Sequence, residues 1–230
     1  MARLLLFDID GTLIDSNGAG GAAILDAAEE HFGIQREQLP PLHLAGSTDP
    51  AIAMDVFGHM NRVHTPEEVT AFLDRYLSHL QRRLQAPDFS GYTLPGVTQL
   101  LQSLRSESEA HIGLLTGNVR RGAVIKLSRH GIYDHFVEGG FGSDHHDRNQ
   151  LGPVALQRMQ DATGTTYDIT DVIVIGDTPK DIRCAEAFGA KCLAVATGQY
   201  SYAELSALNP WRCVESFADV PAIIELLLRD

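Results

Sequence analysis

Four short apolar runs constrain this chain most: "RLLLF" (3–7), "HIGLLT" (111–116), "VIVIG" (172–176) and "CLAVA" (192–196). Each is continuous rather than alternating. That is the pattern of a strand covered on both faces, as in a parallel sheet. A fainter run lies at "HFVEGGF" (135–141). Helical patterns separate them: "VTQLLQSLRS" (97–106), "RGAVIKLSRHG" (121–131), "PVALQRMQDATG" (153–164) and "PKDIRCAEAFG" (179–189). Several end at Gly, the usual C-terminal signal of a helix. Strand–helix alternation predicts an α/β fold with a Rossmann-like parallel-sheet core.

Residues 16–90 break the alternation. They hold helical patterns at "GGAAILDAAEEHFG" (20–33), "DPAIAMDVFGHMN" (49–61) and "TPEEVTAFLDRYLSHLQRRLQ" (65–85), with no convincing strand. The stretch closes on "APDFSGYTLPG" (86–96), rich in Gly and Pro, which reads as a linker. The expected organisation is a core of residues 1–15 and 91–230 with an all-helical domain, 16–90, inserted after the first strand. A chain of 230 residues accommodates a core and a smaller insert.

Composition excludes several classes. A hydrophobic content of 44% and a charged content of 21% fit a soluble globular protein. No apolar run approaches the ~20 residues of a membrane span. "MARLLLF" is too short for a signal-peptide core, so a cytoplasmic location is expected. Cys184, Cys192 and Cys213 are odd in number and lack a C-x-x-C pattern, which supports neither a disulfide framework nor a zinc site. A net charge of −12 argues against nucleic acid and anionic membranes as partners. An anionic substrate would therefore need positive charge concentrated locally. Lysine is scarce, with only Lys126, Lys180 and Lys191 available.

Polar residues cluster directly after three of the runs. Asp8 and Asp10 follow the first; Thr116, Gly117 and Asn118 close the second; Asp177 and Asp181 follow the third. Asp10-Gly11 alone is an ordinary turn signal. A calcium loop fails on spacing, because the twelfth position from Asp8 is Ala19 where a bidentate Glu belongs. In open α/β sheets ligands bind outside the carboxyl ends of the strands, so neighbouring parallel strands would bring the three clusters to one edge. Grouped carboxylates repel one another, and a hard cation such as Mg²⁺ relieves that. "TGN" offers a hydroxyl, backbone amides and a side-chain amide for phosphate oxygens near a helix start. Carboxylates, Mg²⁺ and a phosphate cradle together point to phosphoryl transfer with an attacking Asp.

"DIDGT" (8–12), "LLTGN" (114–118) and "IGDTPKDI" (175–182) resemble the first, second and fourth motifs of the haloacid dehalogenase superfamily, and "YTLPGV" (92–97) is similar to the segment re-entering its core after a helical cap. The resemblance implies a phosphatase of the phosphoglycolate phosphatase type. It makes Asp8 the nucleophile and Asp10 the general acid and base, with its carbonyl on Mg²⁺. Asp8 and Asp177 match metal ligands, and Asp181 an outer carboxylate, water-mediated or orienting. Thr116, Gly117 and Asn118 would bind phosphate. Asp10 argues against dehalogenation, since a halide, a very weak base, leaves without a proton whereas an alkoxide needs one.

The third motif departs from the family's pattern. Its usual lysine is missing from "SDHHDRNQLGPVAL" (143–156), where Arg148 stands near the right place. A guanidinium suits phosphate oxygens and can neutralise the nucleophile. Lys126 is the chief rival and Lys180, at what reads as an exposed helix start, a weaker one. His145 and His146 lack the i, i+4 spacing of a helical zinc pair and read as a solvated loop. Asp15 is expected at the hinge to the insert, either capping the next helix or binding nothing. "LAGSTDP" (44–50) carries a helix N-cap signal and is also a candidate specificity loop, as is the glycine-rich "SNGAGGA" (16–22).

The expected reaction is hydrolysis of a small phosphorylated metabolite, in a monomer or homodimer. The alternative is a phosphosugar mutase of the β-phosphoglucomutase kind, for which Arg62, Arg75, Arg82 and Arg83 look like helix surface rather than a second phosphate site. A catalytically silent relative would more often lack Asp8 or Asp10.

Overall fold

A computed structural model describes residues 2–39 and 41–229, so Met1, Pro40 and Asp230, all within the expected domain ranges, lie outside the described residues. The chain begins with β1 (Arg3–Phe7), β2 (Ile14–Asp15) and α1 (Ala19–Phe32), followed by α2 (Asp49–His59) and α3 (Pro66–Gln85). It continues through β3 (Tyr92–Thr93), α4 (Val97–Arg105), β4 (Ala110–Thr116), α5 (Arg120–Arg129), β5 (Gly139–Phe141) and α6 (Leu151–Thr163). The last elements are β6 (Val172–Gly176), α7 (Pro179–Phe188), β7 (Lys191–Val195), α8 (Tyr202–Ser206), β8 (Arg212–Val214) and α9 (Val220–Arg229).

Six strands form one parallel sheet in the order β5-β4-β1-β6-β7-β8. The continuous apolar runs have a direct cause. Side chains alternate across a strand, and both faces of this sheet are covered. Leu5, Phe7, Ile112, Leu114, Ile173 and Ile175 pack on one side with residues of α4, α5 and α9. Leu4, Leu6, Leu115, Val172 and Val174 pack on the other with residues of α6 and α7. Phe7 is level with Leu114 and with Ile175, so β1, β4 and β6 end together and release their polar clusters at one edge.

Helices α1, α2 and α3 share a separate apolar cluster, including Ile24, Ala27, Ile52, Phe57, Phe72, Tyr76 and Leu80. Thr65 opens α3 with a capping box to Glu68 and Pro66 in the first turn. The stretch 86–96, expected as a linker, also contains β3. It pairs antiparallel with β2, Asp15 opposite Tyr92, and ties the exit from the sheet to the return. Asp15 caps no helix: Gly18 is the N-cap of α1, and the Asp15 carboxylate accepts from the Asn17 amide at 2.7 Å. Among the described residues no helix is long and apolar enough to cross a membrane. The three cysteines are unpaired, Cys184 and Cys192 buried.

Candidate active site

The site assembles where β1, β4 and β6 end. Asp8 follows β1 and is 4% exposed, its amide bonded to the Ile175 carbonyl at 2.9 Å. Asp177 follows β6 and accepts from the Thr12 hydroxyl at 3.1 Å. Asp181 is placed by local sequence. In "DTPKD", Thr178 is the N-cap of α7, Pro179 opens the helix, and Asp181 closes a capping box, its Oδ2 accepting from the Thr178 amide at 3.0 Å and hydroxyl at 2.7 Å. Oxygens of Asp8, Asp177 and Asp181 lie within 4.8 Å of one another.

Arg148, in the turn before α6, reaches this cluster. Its Nη2 stands 3.1 Å from Asp8 Oδ1 and also donates to Asp181 Oδ1. Burial opposes the Arg148 charge, but Asp181 and Asp8 outweigh it and hold the guanidinium more firmly protonated than usual. One cation cannot neutralise three carboxylates. Burial, with Asp181 and Asp10 adding to it, pushes Asp8 up to about 6 despite Arg148. Burial and the charges of Asp181 and Asp8 push Asp177 well above the carboxylate range. The excess of two buried negative charges fits a divalent cation. Gly11 and Gly198 give the Asp177 carboxylate its place there, since a Cβ on either would overlap it.

Asp10 faces a different partner. Lys126 Nζ, from α5 and 4% exposed, donates to Asp10 Oδ2 at 2.6 Å and to Asn118 Oδ1 at 2.7 Å. Asn118 Nδ2 donates to the same Asp10 oxygen at 2.8 Å and to Thr116 Oγ1 at 2.9 Å. Burial would raise the Asp10 carboxyl, but the Lys126 charge and the hydrogen bonds from Lys126 and Asn118 hold it below its usual value. Thr116 is fully buried and hydrogen-bonded to Asp8, whereas Gly117 and Asn118 line the open space.

The cavity over these groups measures about 290 Å³. Among the described residues, Asp8, Asp10, Asp49 and Asp177 line it against only Lys126 and Arg148, with Gly20, Gly21, Ile24, Leu44, Ile52 and Tyr76 from the helical segment opposite. None of Arg62, Arg75, Arg82 or Arg83 reaches it. "GSTD" (46–49) is pinned to the sheet edge at several points. Arg148 Nη1 donates to the Gly46 carbonyl at 3.2 Å, Lys180 Nζ to Ser47 Oγ at 2.5 Å, and Thr48 Oγ1 to the His146 carbonyl at 2.6 Å. The Asp49 amide donates to the Gly117 carbonyl at 2.8 Å, and Asp49 Oδ2 accepts from the Val119 amide at 2.8 Å. Thr48 is also the N-cap of α2. Asp49 thus caps α5 from another helix, and burial pushes its carboxyl up to about 6.

The predicted residues sort cleanly. Asp8, Arg148, Asp177 and Asp181 form one cluster, with Asp10, Thr116 and Asn118 joined to it through hydrogen bonds. Lys126 does not contact Asp8; it pairs with Asp10 instead. Lys180, expected as an exposed helix start, is half-buried against Ser47. His145 and His146 are exposed and stacked on each other. Sequence reasoning flagged Asp49 only within the "LAGSTDP" stretch and missed Tyr76 and the loop after β7, where Gly198 and Gln199 line the cavity and the Thr197 hydroxyl donates to the Gly11 carbonyl at 2.6 Å. The signal for that loop was present: "TGQ" follows the fourth apolar run as "TGN" closes the second.

A doubly covered parallel sheet with a carboxylate cluster at its strand ends and a helical segment over it defines a class of α/β enzyme. The profile of the haloacid dehalogenase-like hydrolases matches residues 5–195, and the chain belongs to that family. The phosphoglycolate phosphatase of Chromobacterium violaceum is 28% identical, aligned over 95% of this chain and 94% of its own. A protein of Dickeya dadantii named "Probable phosphatase IndB" is 25% identical over 100% of this chain and 96% of its own. Among solved structures, CbbY from Rhodobacter sphaeroides, crystallised with phosphate, superposes with a TM-score of 0.73 at 17% identity, covering 96% of each chain, and supports the fold.

Proposed function

We propose that this hydrolase is a Mg²⁺-dependent phosphomonoesterase acting on a small phosphorylated metabolite through an aspartyl-phosphate on Asp8. The observation that carries the reading is the buried Asp8 carboxylate, bridged by Arg148 to Asp181, beside Asp177 and lining the same cavity as Asp10. Asp8 and Asp177 would hold the cation; both Asp181 oxygens are already engaged, which favours an orienting role for it. When bound, Mg²⁺ supplies charge neutralisation for the transferring phosphoryl group and the attacking carboxylate.

An Asp8 oxygen attacks phosphorus as the bond to the ester oxygen breaks, and Asp10 gives that oxygen its proton, releasing an alcohol. The incoming phosphate adds negative charge beside Asp10, which raises its carboxyl and favours the protonated form needed first. Water then attacks phosphorus, the Asp8–phosphorus bond breaks, and Asp10 takes back a proton. Arg148 neutralises Asp8 between the steps, Gly117 and Asn118 hold the phosphate oxygens, and Thr116 fixes Asp8 from behind.

Residues 16–90 serve as a cap, and the pinned "GSTD" turn excludes bulk water from the small cavity. The phosphatase names of the relatives and the cavity of about 290 Å³ support a small ester such as phosphoglycolate. The test is phosphate release from a panel of small phosphate esters, with Mg²⁺ and with EDTA. Mg²⁺-dependent release supports the reading, and no release from any ester by folded protein removes it.

A further inference from the structure

Lys126 is a buried ammonium that the reaction above does not use. Placing a charge where only 4% of the residue is exposed costs several kcal/mol of hydration, and apolar residues of similar volume often serve a core as well or better. Its position is specific. Nζ grips Asp10 Oδ2 at 2.6 Å and Asn118 Oδ1 at 2.7 Å, and Asn118 Nδ2 grips the same Asp10 oxygen at 2.8 Å. The lysine stands behind an Asp10 side chain that is itself 40% exposed. Gly20 faces Nζ, and a Cβ there would sit 3.4 Å from it, so the opposing helix is kept small where the ammonium lies. Lys126 and Asn118 both converge on Oδ2 and neither engages Oδ1, while the Ser16 hydroxyl also hydrogen-bonds this carboxyl.

We infer that Lys126 is a positioning residue for proton transfer. By fixing Oδ2 it sets the carboxyl plane of Asp10 and presents Oδ1 as the atom that gives its proton to the departing ester oxygen and takes one from water. The inference rests on the phosphatase reading and on Asp10 as acid and base. It has a consequence that simple packing lacks. An alkoxide leaving group depends on the proton, while p-nitrophenolate leaves without one. Loss of Lys126 must therefore harm alkyl phosphates more than p-nitrophenyl phosphate.

The experiment uses the full chain with Mg²⁺. It compares kcat/KM for p-nitrophenyl phosphate and for the fastest alkyl phosphate of the panel, in wild type, Lys126→Met and Lys126→Gln. The alkyl-to-aryl ratio is taken within each preparation, so a reduced folded fraction cancels. A fall in that ratio of about tenfold to a hundredfold in either variant is the expected result, given what misplacing a general acid costs. An unchanged ratio, whether both rates drop together or neither drops, overturns the assignment. Absence of Mg²⁺-dependent release from either ester by wild type overturns the phosphatase reading and the assignment with it.

Discussion

Arg148 Nη2 lies 3.1 Å from Asp8 Oδ1 and donates at the same time to Asp181. The guanidinium thus joins the end of β1 to the first turn of α7, and the two acids depend on one cation. The second arm of the fork, Nη1, reaches the Gly46 carbonyl of the pinned turn at 3.2 Å, and on the proposed reading Arg148 takes the place of the lysine in the family's pattern. On the proposed reading, closure over the cavity and neutralisation of the nucleophile meet in one side chain.

Replacing Arg148 therefore has two effects. Arg148→Met is expected to lower kcat by about a hundredfold or more, the scale for losing a preorganised charge on a transition state. It also strands Asp8 and Asp181 in the interior, at a cost of about 3–5 kcal/mol. Phosphate-release kinetics and a thermal melt in EDTA measure the two separately. Arg148→Lys, which keeps the charge, is expected to fall between wild type and the methionine variant in both.

Gly198 borders the proposed metal ligand. A Cβ there overlaps the Asp177 carboxylate, so Gly198→Ala must displace it. The Mg²⁺ concentration for half-maximal activity is expected to rise about tenfold or more, with rate recovered at high Mg²⁺. A Mg²⁺ titration of activity checks this; an unchanged midpoint would separate Asp177 from metal binding.

Asp49 gives a pH signature in stability. Its carboxyl is raised by burial from 3.8 to about 6. A folded pKa above the unfolded one means that the folded state holds the extra proton between those values. The stability this contributes is full below about pH 4 and is lost as pH rises through about 6. Asp49→Asn removes the ionisation while its amide oxygen can still accept from Val119. Melts in EDTA from pH 4 to 7 are expected to show the variant gaining on wild type as pH rises, with the gap closing toward pH 4. A gap that does not vary with pH would mean Asp49 stays ionised throughout.

Much of the fold was legible because burial on both faces leaves a direct trace. "RLLLF" and "VIVIG" coincide with β1 and β6, and the helical periods locate α4 to α7 within a few residues. The short elements β2, β3, β8 and α8 left no usable pattern, because two to five residues do not establish a period. α9, "VPAIIELLLR", carries a helical pattern that the reading along the strands passed over. The acidic constellation followed from strand ends, since parallel neighbours bring their termini together. Residues that act across the chain were hidden for a physical reason. Asp49 meets Val119 only after the helical segment docks on the sheet, and Lys126 meets Asp10 only once α5 packs on it, partners 70 and 116 residues apart in sequence.

The role of Asp8 admits the most direct test. Phosphate release by Asp8→Asn, with Mg²⁺ and beside wild type of matched folded content, isolates the nucleophile. A fall of at least about a thousandfold is the expected result, since removing a covalent nucleophile leaves only the catalysis supplied by binding and electrostatics. Release within tenfold of wild type would contradict the aspartyl-phosphate mechanism and leave Asp8 as a metal ligand alone.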